Sequence, residues 1–241
     1  MKVQVYDEAS QIGKAAAMLI AAKIITNPRC VLGLATGSTP LPTYASLVEF
    51  YDKGILDFST IRTFNLDEYV GVSRSHEQSY YRFMFDNLFS KININPDNVQ
   101  LPNPISANPE DDCEPYDAAI EAAGGIDLQL LGIGNNGHIA FNEPCGVFPF
   151  GTHIVDLTES TVEANKRFFD SIEDVPKKAI TMGVGSIMKA REIIIIATGK
   201  AKAEAVWSMI NGEVNPVCPA SVLRLHAKVT AFLDREAASL L

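Results

Sequence analysis

Residues 130–144 read Leu-Leu-Gly-Ile-Gly-Asn-Asn-Gly-His-Ile-Ala-Phe-Asn-Glu-Pro. An apolar segment of β type leads into a glycine-rich turn, and His138, Asn142 and Glu143 then follow within six residues. Open α/β folds bind their ligands at the carboxyl ends of parallel strands. This stretch therefore predicts an α/β fold with a functional site at that edge of the sheet, and it favours an enzyme.

The rest of the chain alternates between β-type runs and helical patterns, which is typical of a parallel sheet covered by helices on both faces. The predicted strands are Val3–Tyr6, Val31–Ala35, Ile61–Asn65, Leu128–Ile133, His153–Leu157, Ile193–Thr198 and Val229–Leu233. The predicted helices are Ser10–Ile25, Tyr44–Lys53, Ser79–Phe89, Glu110–Ala122, Thr161–Phe169, Val184–Ala190 and Lys202–Ile210. Since no linker or repeat interrupts the pattern, we expect residues 1–241 to form a single domain.

The composition narrows the possible partners. The chain has 29 acidic and 20 basic residues and a net charge of −9, without a Lys/Arg cluster, which argues against nucleic acid or an anionic membrane as partner. Its four cysteines lie far apart without a CxxC pair, so we expect no metal site, no disulfide framework and a cytoplasmic location. The apolar run 15–22 between Lys14 and Lys23 indicates a buried helix face and not a signal sequence.

The turn after the second predicted strand contains Thr36, Gly37, Ser38 and Thr39. Backbone N–H groups of such a turn, together with the positive end of the next helix, suit a phosphate. An ordinary strand-to-helix turn with a Ser/Thr N-cap remains an equal alternative.

The third predicted strand ends at Asn65 and is followed by Asp67 and Glu68. Adjacent side chains of an extended segment point in opposite directions, so one carboxylate can enter a cleft while the other meets solvent or caps the next segment. A solvated acidic turn is the alternative.

Gly132, Gly134 and Gly137 match G-x-G-x-x-G after a strand, with Asp156 about 20 residues further on, as in a dinucleotide-binding fingerprint. That fingerprint must open a helix, whereas two prolines and two glycines follow within residues 138–151. We therefore interpret the glycines as allowing backbone to approach a ligand, with His138 and Glu143 as acid–base groups.

Two cations complete the candidate set. Arg167 and Lys202 lie near the ends of two predicted helical segments, where they could together hold a phosphate. The neighbouring Lys166 and Lys200 are interpreted as solvated.

With these residues in view, the sequence resembles the glucosamine-6-phosphate deaminase family, also called glucosamine-6-phosphate isomerases. The matching blocks are Leu32–Pro40, Asn65–Gly71, Gly137–Pro144 and Ala164–Phe169. The resemblance implies a modified Rossmann-like three-layer αβα fold with a mostly parallel sheet. It also implies conversion of D-glucosamine 6-phosphate and water to fructose 6-phosphate and ammonia, without metal or organic cofactor.

The resemblance assigns roles residue by residue. Asp67 is similar to the base that moves a proton between C2 and C1, and His138, with Glu143 beside it, to the group that opens the sugar ring. The residues similar to the phosphate- and substrate-binding set are Thr36, Gly37, Ser38, Thr39, Gly137, Arg167 and Lys202. Asn136 stands where well-known members of the family have aspartate. An amide cannot ionise, so at this position we expect orientation of His138 and no shared charge.

Two alternatives stay open: a 6-phosphogluconolactonase, which has a similar Gly-His turn, and a non-catalytic sugar-phosphate sensor of the same fold.

Allosteric members of the family carry basic residues after the catalytic loop and a longer C-terminal tail. Here the corresponding stretch is residues 151–156, which ends in Val155 and Asp156, and the sequence stops at Leu241. We therefore expect a monomer or small homo-oligomer with hyperbolic kinetics.

Overall fold

A seven-stranded parallel sheet forms the centre of the computed structural model, which describes residues 1–166, 169 and 171–241. The strands are β1 (Lys2–Tyr6), β2 (Val31–Leu34), β3 (Arg62–Asn65), β4 (Asp67–Tyr69), β5 (Val99–Gln100), β6 (Leu128–Gly132), β7 (His153–Asp156), β8 (Lys178–Thr181), β9 (Ile193–Ala197) and β10 (Val229–Asp234). The helices are α1 (Ala9–Thr26), α2 (Leu41–Asp52), α3 (Tyr80–Asn87), α4 (Cys113–Ala122), α5 (Glu159–Asn165), α6 (Val184–Met188) and α7 (Ala203–Asn211).

The central sheet has the strand order β1-β10-β9-β6-β2-β3-β5, and every neighbouring pair in it is parallel. Alternate side chains of β9 enter different cores, as the period of two in a strand requires. Ile194 and Ile196 belong to the core beneath α1 and α2, while Ile193 and Ile195 belong to the core beneath α4, α6 and α7. The predicted three-layer arrangement around a mostly parallel sheet is therefore confirmed.

Helix α1 illustrates how the sequence builds one of these layers. The side chain of Gln11 accepts the backbone N–H of Glu8 at 3.1 Å and so satisfies a donor at the helix start. Gly13 allows α2 to approach closely, because a Cβ there would lie 2.4 Å from that of Pro42. Most of the 15–22 segment is buried, as predicted. In the described part of the chain no helix is both long and apolar enough to cross a membrane.

The prediction was wrong for the strand at His153–Leu157. This segment, β7, does not join the parallel sheet but pairs antiparallel with β8, and β8 pairs antiparallel with β4. The second sheet was missed because β4 is a three-residue polar strand and β8 has only four residues, so both are held by tertiary pairing more than by local preference.

Helix α5 begins two residues before the predicted Thr161, because the Thr158 hydroxyl caps it by accepting the N–H of Thr161 at 3.3 Å. The predicted end of this helix falls partly on residues 167 and 168, which lie outside the described residues.

Candidate active site

Four adjacent strands of the parallel sheet carry the candidate residues at their carboxyl ends. In the order β9-β6-β2-β3, these ends lead to Lys202, to the His138 segment, to the Thr36 turn and to Asp67. Because parallel strands end at one edge of a sheet, residues spread over the sequence lie along the same edge. The candidate residues that follow these four strands therefore share one edge of the sheet.

The turn between β2 and α2 leaves its hydroxyl groups unused by the helix. Pro40 occupies the N-cap position and no side-chain capping hydrogen bond is made, so the alternative of an ordinary Ser/Thr N-cap is wrong. Gly37 has a φ of +93°, in the left-handed region that favours glycine, and a Cβ there would meet open space. Ser38 is exposed and Thr39 is half-buried, so a ligand can reach both.

Asp67 lies at the far end of this edge, with 6% of its surface exposed. Burial, and after it the nearby charge of Glu68, raises the pKa of Asp67 to about 8. The alternative of a solvated acidic turn is therefore wrong. A carboxyl group whose pKa lies close to the working pH can both take up and release a proton there, so Asp67 is a competent base and proton carrier once it has ionised.

The segment from residue 133 to residue 152 contains no helix, which confirms that the three glycines do not form a dinucleotide fingerprint. Gly134 is required by packing, because a Cβ there would lie within 2.3–2.5 Å of the His138 imidazole. Gly137 has a φ of +85°, and its carbonyl accepts the N–H of Ala220 at 2.9 Å. These contacts place the histidine ring on the backbone directly after β6.

A side-chain contact joins this segment to the Asp67 strand. Thr181 pairs with Asp67 in the small sheet, and its hydroxyl accepts the N–H of Phe141 at 3.1 Å. Asn142 is buried and donates to the carbonyls of Ile139 and Met182 at 3.0 and 2.9 Å. Asn142 therefore supports the segment structurally, and the second sheet holds the histidine segment beside the aspartate.

Glu143 is the partner of the His138 imidazole. Its Oε2 lies 3.4 Å from Nδ1 of His138, and the Asn136 amide donates to the same oxygen at 2.7 Å. The hydroxyl of Thr161 donates to Oε1. Burial alone would raise the pKa of Glu143, but His138, Thr161 and Asn136 together outweigh it and lower that pKa to about 2. Glu143 is therefore a fixed negative charge at the edge of the imidazole.

Asn136 contacts the histidine differently from what the sequence suggests. Its Oδ1 accepts the backbone N–H of His138 at 3.2 Å, and its Nδ2 is directed to Glu143. The amide therefore acts on the carboxylate and on the backbone, and it reaches the imidazole through Glu143.

The two predicted cations differ in what can be described. Lys202 ends a short 3-10 turn, Lys200–Lys202, that follows β9, and it is half-buried. Gly199, with a φ of +88°, opens this turn, and its N–H donates to Asp234 at 2.8 Å. Arg167 lies outside the described residues.

Three residues of this site were missed by sequence reasoning. Thr161 and Thr158 donate to Glu143 across gaps of 18 and 15 residues, so no local pattern could have revealed them. Tyr80, the first residue of α3, stacks on Phe141 with 11° between ring planes. A weak signal for it was available, since Ser79 is a recognisable N-cap and fixes where α3 begins.

Comparison with known proteins identifies the family of this chain. Residues 6–232 match the family model described as glucosamine-6-phosphate isomerases/6-phosphogluconolactonase. The chain belongs to this family. It is 54% identical over 241 residues to the glucosamine-6-phosphate deaminase of Thermoanaerobacter pseudethanolicus, covering all of this chain and 95% of that one. It is 52% identical to the Clostridium perfringens deaminase, with full coverage of both chains.

Solved structures of this family have the same fold. A monomeric glucosamine-6-phosphate deaminase superposes with a TM-score of 0.98 at 44% identity, covering 100% of both chains. The 6-phosphogluconolactonase of Trypanosoma cruzi superposes with a TM-score of 0.78 at 22% identity, covering 100% of this chain and 96% of that one, a likeness that concerns the fold alone.

Proposed function

We propose that this chain is a glucosamine-6-phosphate deaminase, which converts D-glucosamine 6-phosphate and water to D-fructose 6-phosphate and ammonia. The observation that carries the proposal is the pairing of a buried base, Asp67, with a separate imidazole–carboxylate pair on the neighbouring segment. Aldose–ketose isomerisation needs one group for the carbon-bound proton and another for the oxygen-bound proton. Full-length relatives at about half identity are deaminases, which supports the same activity.

The proposed role of Asp67 begins after the sugar ring has opened. Its carboxylate takes the proton from C2 of the open-chain aldehyde, and the electron pair left at C2 forms a C1=C2 double bond while O1 takes up a proton from solvent. Because C2 carries nitrogen, this enediol-type intermediate is an enolamine. Returning the first proton to C1 moves the nitrogen lone pair into a C2=N bond, and loss of a nitrogen-bound proton to solvent leaves an imine at C2. Water adds to the imine, and ammonia leaves as the C2 ketone of fructose 6-phosphate forms.

Ring opening is the proposed role of His138 and Glu143. The imidazole delivers a proton to the ring oxygen and is reprotonated by the C1 hydroxyl, so that the bond between C1 and the ring oxygen breaks and a C1 aldehyde forms. Glu143 stabilises the protonated imidazole through its fixed negative charge, and the Asn136 amide keeps the Glu143 carboxylate in place. Ring opening and proton transfer at carbon thus use different residues. His138 and Glu143 perform the first, and the buried Asp67 performs the second.

The proposed phosphate site consists of Thr36, Gly37, Ser38 and Thr39 with Lys202 and Arg167, and the backbone of Gly137 is the proposed contact for the sugar. We expect Lys202→Ala or Arg167→Ala to weaken substrate binding by about 1.5–3 kcal/mol, the scale of a hydrogen bond to a charged group. The inhibition constant of inorganic phosphate should rise in parallel with KM. Lys200→Ala, an exposed neighbour, is the matched control. Unchanged phosphate inhibition in both variants would contradict this assignment.

Asn136→Asp should move the alkaline limb of the kcat/KM profile to higher pH. A carboxylate at this position would face Glu143 in place of an amide donor, and a second negative charge favours the protonated imidazole. The pH profiles of the two proteins, measured under identical conditions, test this. An unaltered alkaline limb would show that position 136 is not coupled to the imidazole.

We also propose that residues 1–241 work as one catalytic domain, as a monomer or small homo-oligomer with hyperbolic kinetics. The full-length match to a monomeric deaminase supports this.

A cytoplasmic location is supported by the four cysteines, all of which are free thiols.

Supplying glucosamine 6-phosphate to the purified protein in the presence of EDTA tests the function, with ammonia and fructose 6-phosphate as the products to be measured. Both are expected in equal amounts. Hydrolysis of 6-phosphogluconolactone without ammonia release would indicate the lactonase instead. Binding of the sugar phosphate without turnover would indicate a sensor.

A further inference from the structure

Glu68, the neighbour of the proposed base, has a fully buried side chain. Its Oε1 accepts the backbone N–H groups of Tyr69 and Tyr80 at 3.0 and 2.9 Å, and its Oε2 accepts that of Tyr81 at 2.9 Å. A buried carboxylate is costly unless donors satisfy it, and here three donors do. Glu68 is therefore fixed between β4 and the start of α3.

Two of these donors belong to the first turn of α3, where N–H groups lack partners inside the helix. A third donor of that turn, the N–H of Arg82, is satisfied by the hydroxyl of Ser79 at 3.0 Å. The two caps differ in charge, because only Glu68 places a negative group at the positive end of the helix. They also differ in position, since only Glu68 is joined to Asp67 through β4.

The helix turn that Glu68 caps begins with Tyr80. The Tyr80 hydroxyl donates to that of Tyr69 at 3.2 Å and lies close to the side chain of Thr36. Its ring stacks on Phe141 of the histidine segment, with 6.1 Å between ring centroids. Tyr80 therefore connects three of the four strand-end segments that form the site.

We propose that Glu68 is a positioning residue for the deamination reaction, which anchors α3 so that Tyr80 holds the Thr36 turn and the histidine segment in place around Asp67. This inference rests on the proposed function. Through Tyr80, Glu68 sets the geometry of the phosphate turn. Through its position next to Asp67, it also adds negative charge beside the base.

The charged and titratable groups around Asp67 and Glu68 determine the pH at which Asp67 ionises. The charge of Glu68 acts on Asp67 from the next position of β4, and the charge of Asp67 acts on the phenols of Tyr44, Tyr80 and Tyr116. Burial is the largest cause that raises the pKa values of these three phenols, so they stay neutral. Burial likewise raises the pKa of Glu68, against its N–H donors and the charge of Arg74. Removing the charge of Glu68 should therefore let Asp67 ionise at lower pH.

Glu68→Gln tests the proposal, because it keeps the size of the side chain but places an amide NH₂ against a helix donor. We expect kcat/KM to fall by about 10- to 100-fold, the scale of a lost hydrogen bond to a charged group. The acid limb of the profile should move to lower pH. Ser79→Ala is the matched control, since it removes a cap from the same turn. It should lower Tm without changing kcat/KM or the position of the acid limb.

Tyr80→Phe provides a second variant that leaves both caps intact. It removes the hydroxyl contacts to Tyr69 and Thr36 while keeping the ring on Phe141, so KM is expected to rise more than kcat falls. In the double variant with Glu68→Gln, kcat/KM should fall by less than the product of the two single-variant factors, because both changes act through the position of Tyr80.

Wild-type turnover is measured first, so that an inactive wild type would overturn the proposed function and not this inference alone. With an active wild type, two results would overturn the positioning role. One is Glu68→Gln behaving like Ser79→Ala in kcat/KM and in the acid limb. The other is Tyr80→Phe leaving KM unchanged.

Discussion

Asp67→Asn is expected to lower kcat by about 10²–10⁴-fold, the usual contribution of general acid–base catalysis, with little change in substrate affinity. Asparagine has the same shape but cannot take the C2 proton. In the unaltered protein, kcat/KM should rise with pH as Asp67 loses its proton near its pKa of about 8. Steady-state kinetics and calorimetry over a pH series measure both quantities.

The same variant should be more stable than the original chain at alkaline pH. Because the folded-state pKa of Asp67 lies above its ordinary value of 3.8, the folded chain keeps a proton that the unfolded chain releases. Stability from this group is therefore lost as pH rises from about 4 to about 8. Asp52→Asn, an exposed change at the end of α2, is the control. A Tm of Asp67→Asn below that of the control would contradict the burial argument.

His138→Gln is expected to reduce kcat by about 10²–10³-fold, because ring opening loses its proton donor. Glu143→Gln should produce a loss of similar size by removing the fixed charge beside the imidazole. The double variant should be no slower than the slower single variant, since residues that act as a unit are non-additive. Kinetics of all three variants form the test.

Glu143 also contributes to the stability of the folded chain in a pH-dependent way. The pKa of Glu143 is lowered to about 2, so its contribution to stability is present above its ordinary value of 4.5 and lost as pH falls through about 2. Glu143→Gln should therefore have a lower Tm at neutral pH, with a difference that shrinks in acid. His226→Gln, whose ring contacts the Ala190 carbonyl, is the control for kinetics. Losses that multiply in the double variant would show that His138 and Glu143 act separately.

The parts of the fold that sequence could predict depend on local patterns. The four consecutive isoleucines of β9 are all buried, two in each core, and strand identity followed directly from them. Asp67 and His138 were found because each follows an apolar strand, and parallel strands bring their ends together.

The parts that could not be predicted depend on contacts between distant segments. The polar strand β4 pairs with β8, and in Asp-Glu-Tyr only the tyrosine favours a strand, which is too weak a local preference to predict one. The hydrogen bond from Thr161 to Glu143 and the capping of α3 by Glu68 likewise join residues whose spacing matches no local motif. Asn136 was predicted to orient His138, and only the contacts reveal that it reaches the imidazole through Glu143.

The most direct test of Asp67 as the carbon base follows the C2 proton itself. Glucosamine 6-phosphate is incubated in D₂O with saturating amounts of the protein or of Asp67→Asn, and the C2–H signal is recorded by NMR while calorimetry reports binding. The unaltered protein should remove the signal as product forms, whereas Asp67→Asn should bind the sugar phosphate and leave the signal in place. Loss of the signal at the original rate in Asp67→Asn would contradict the account.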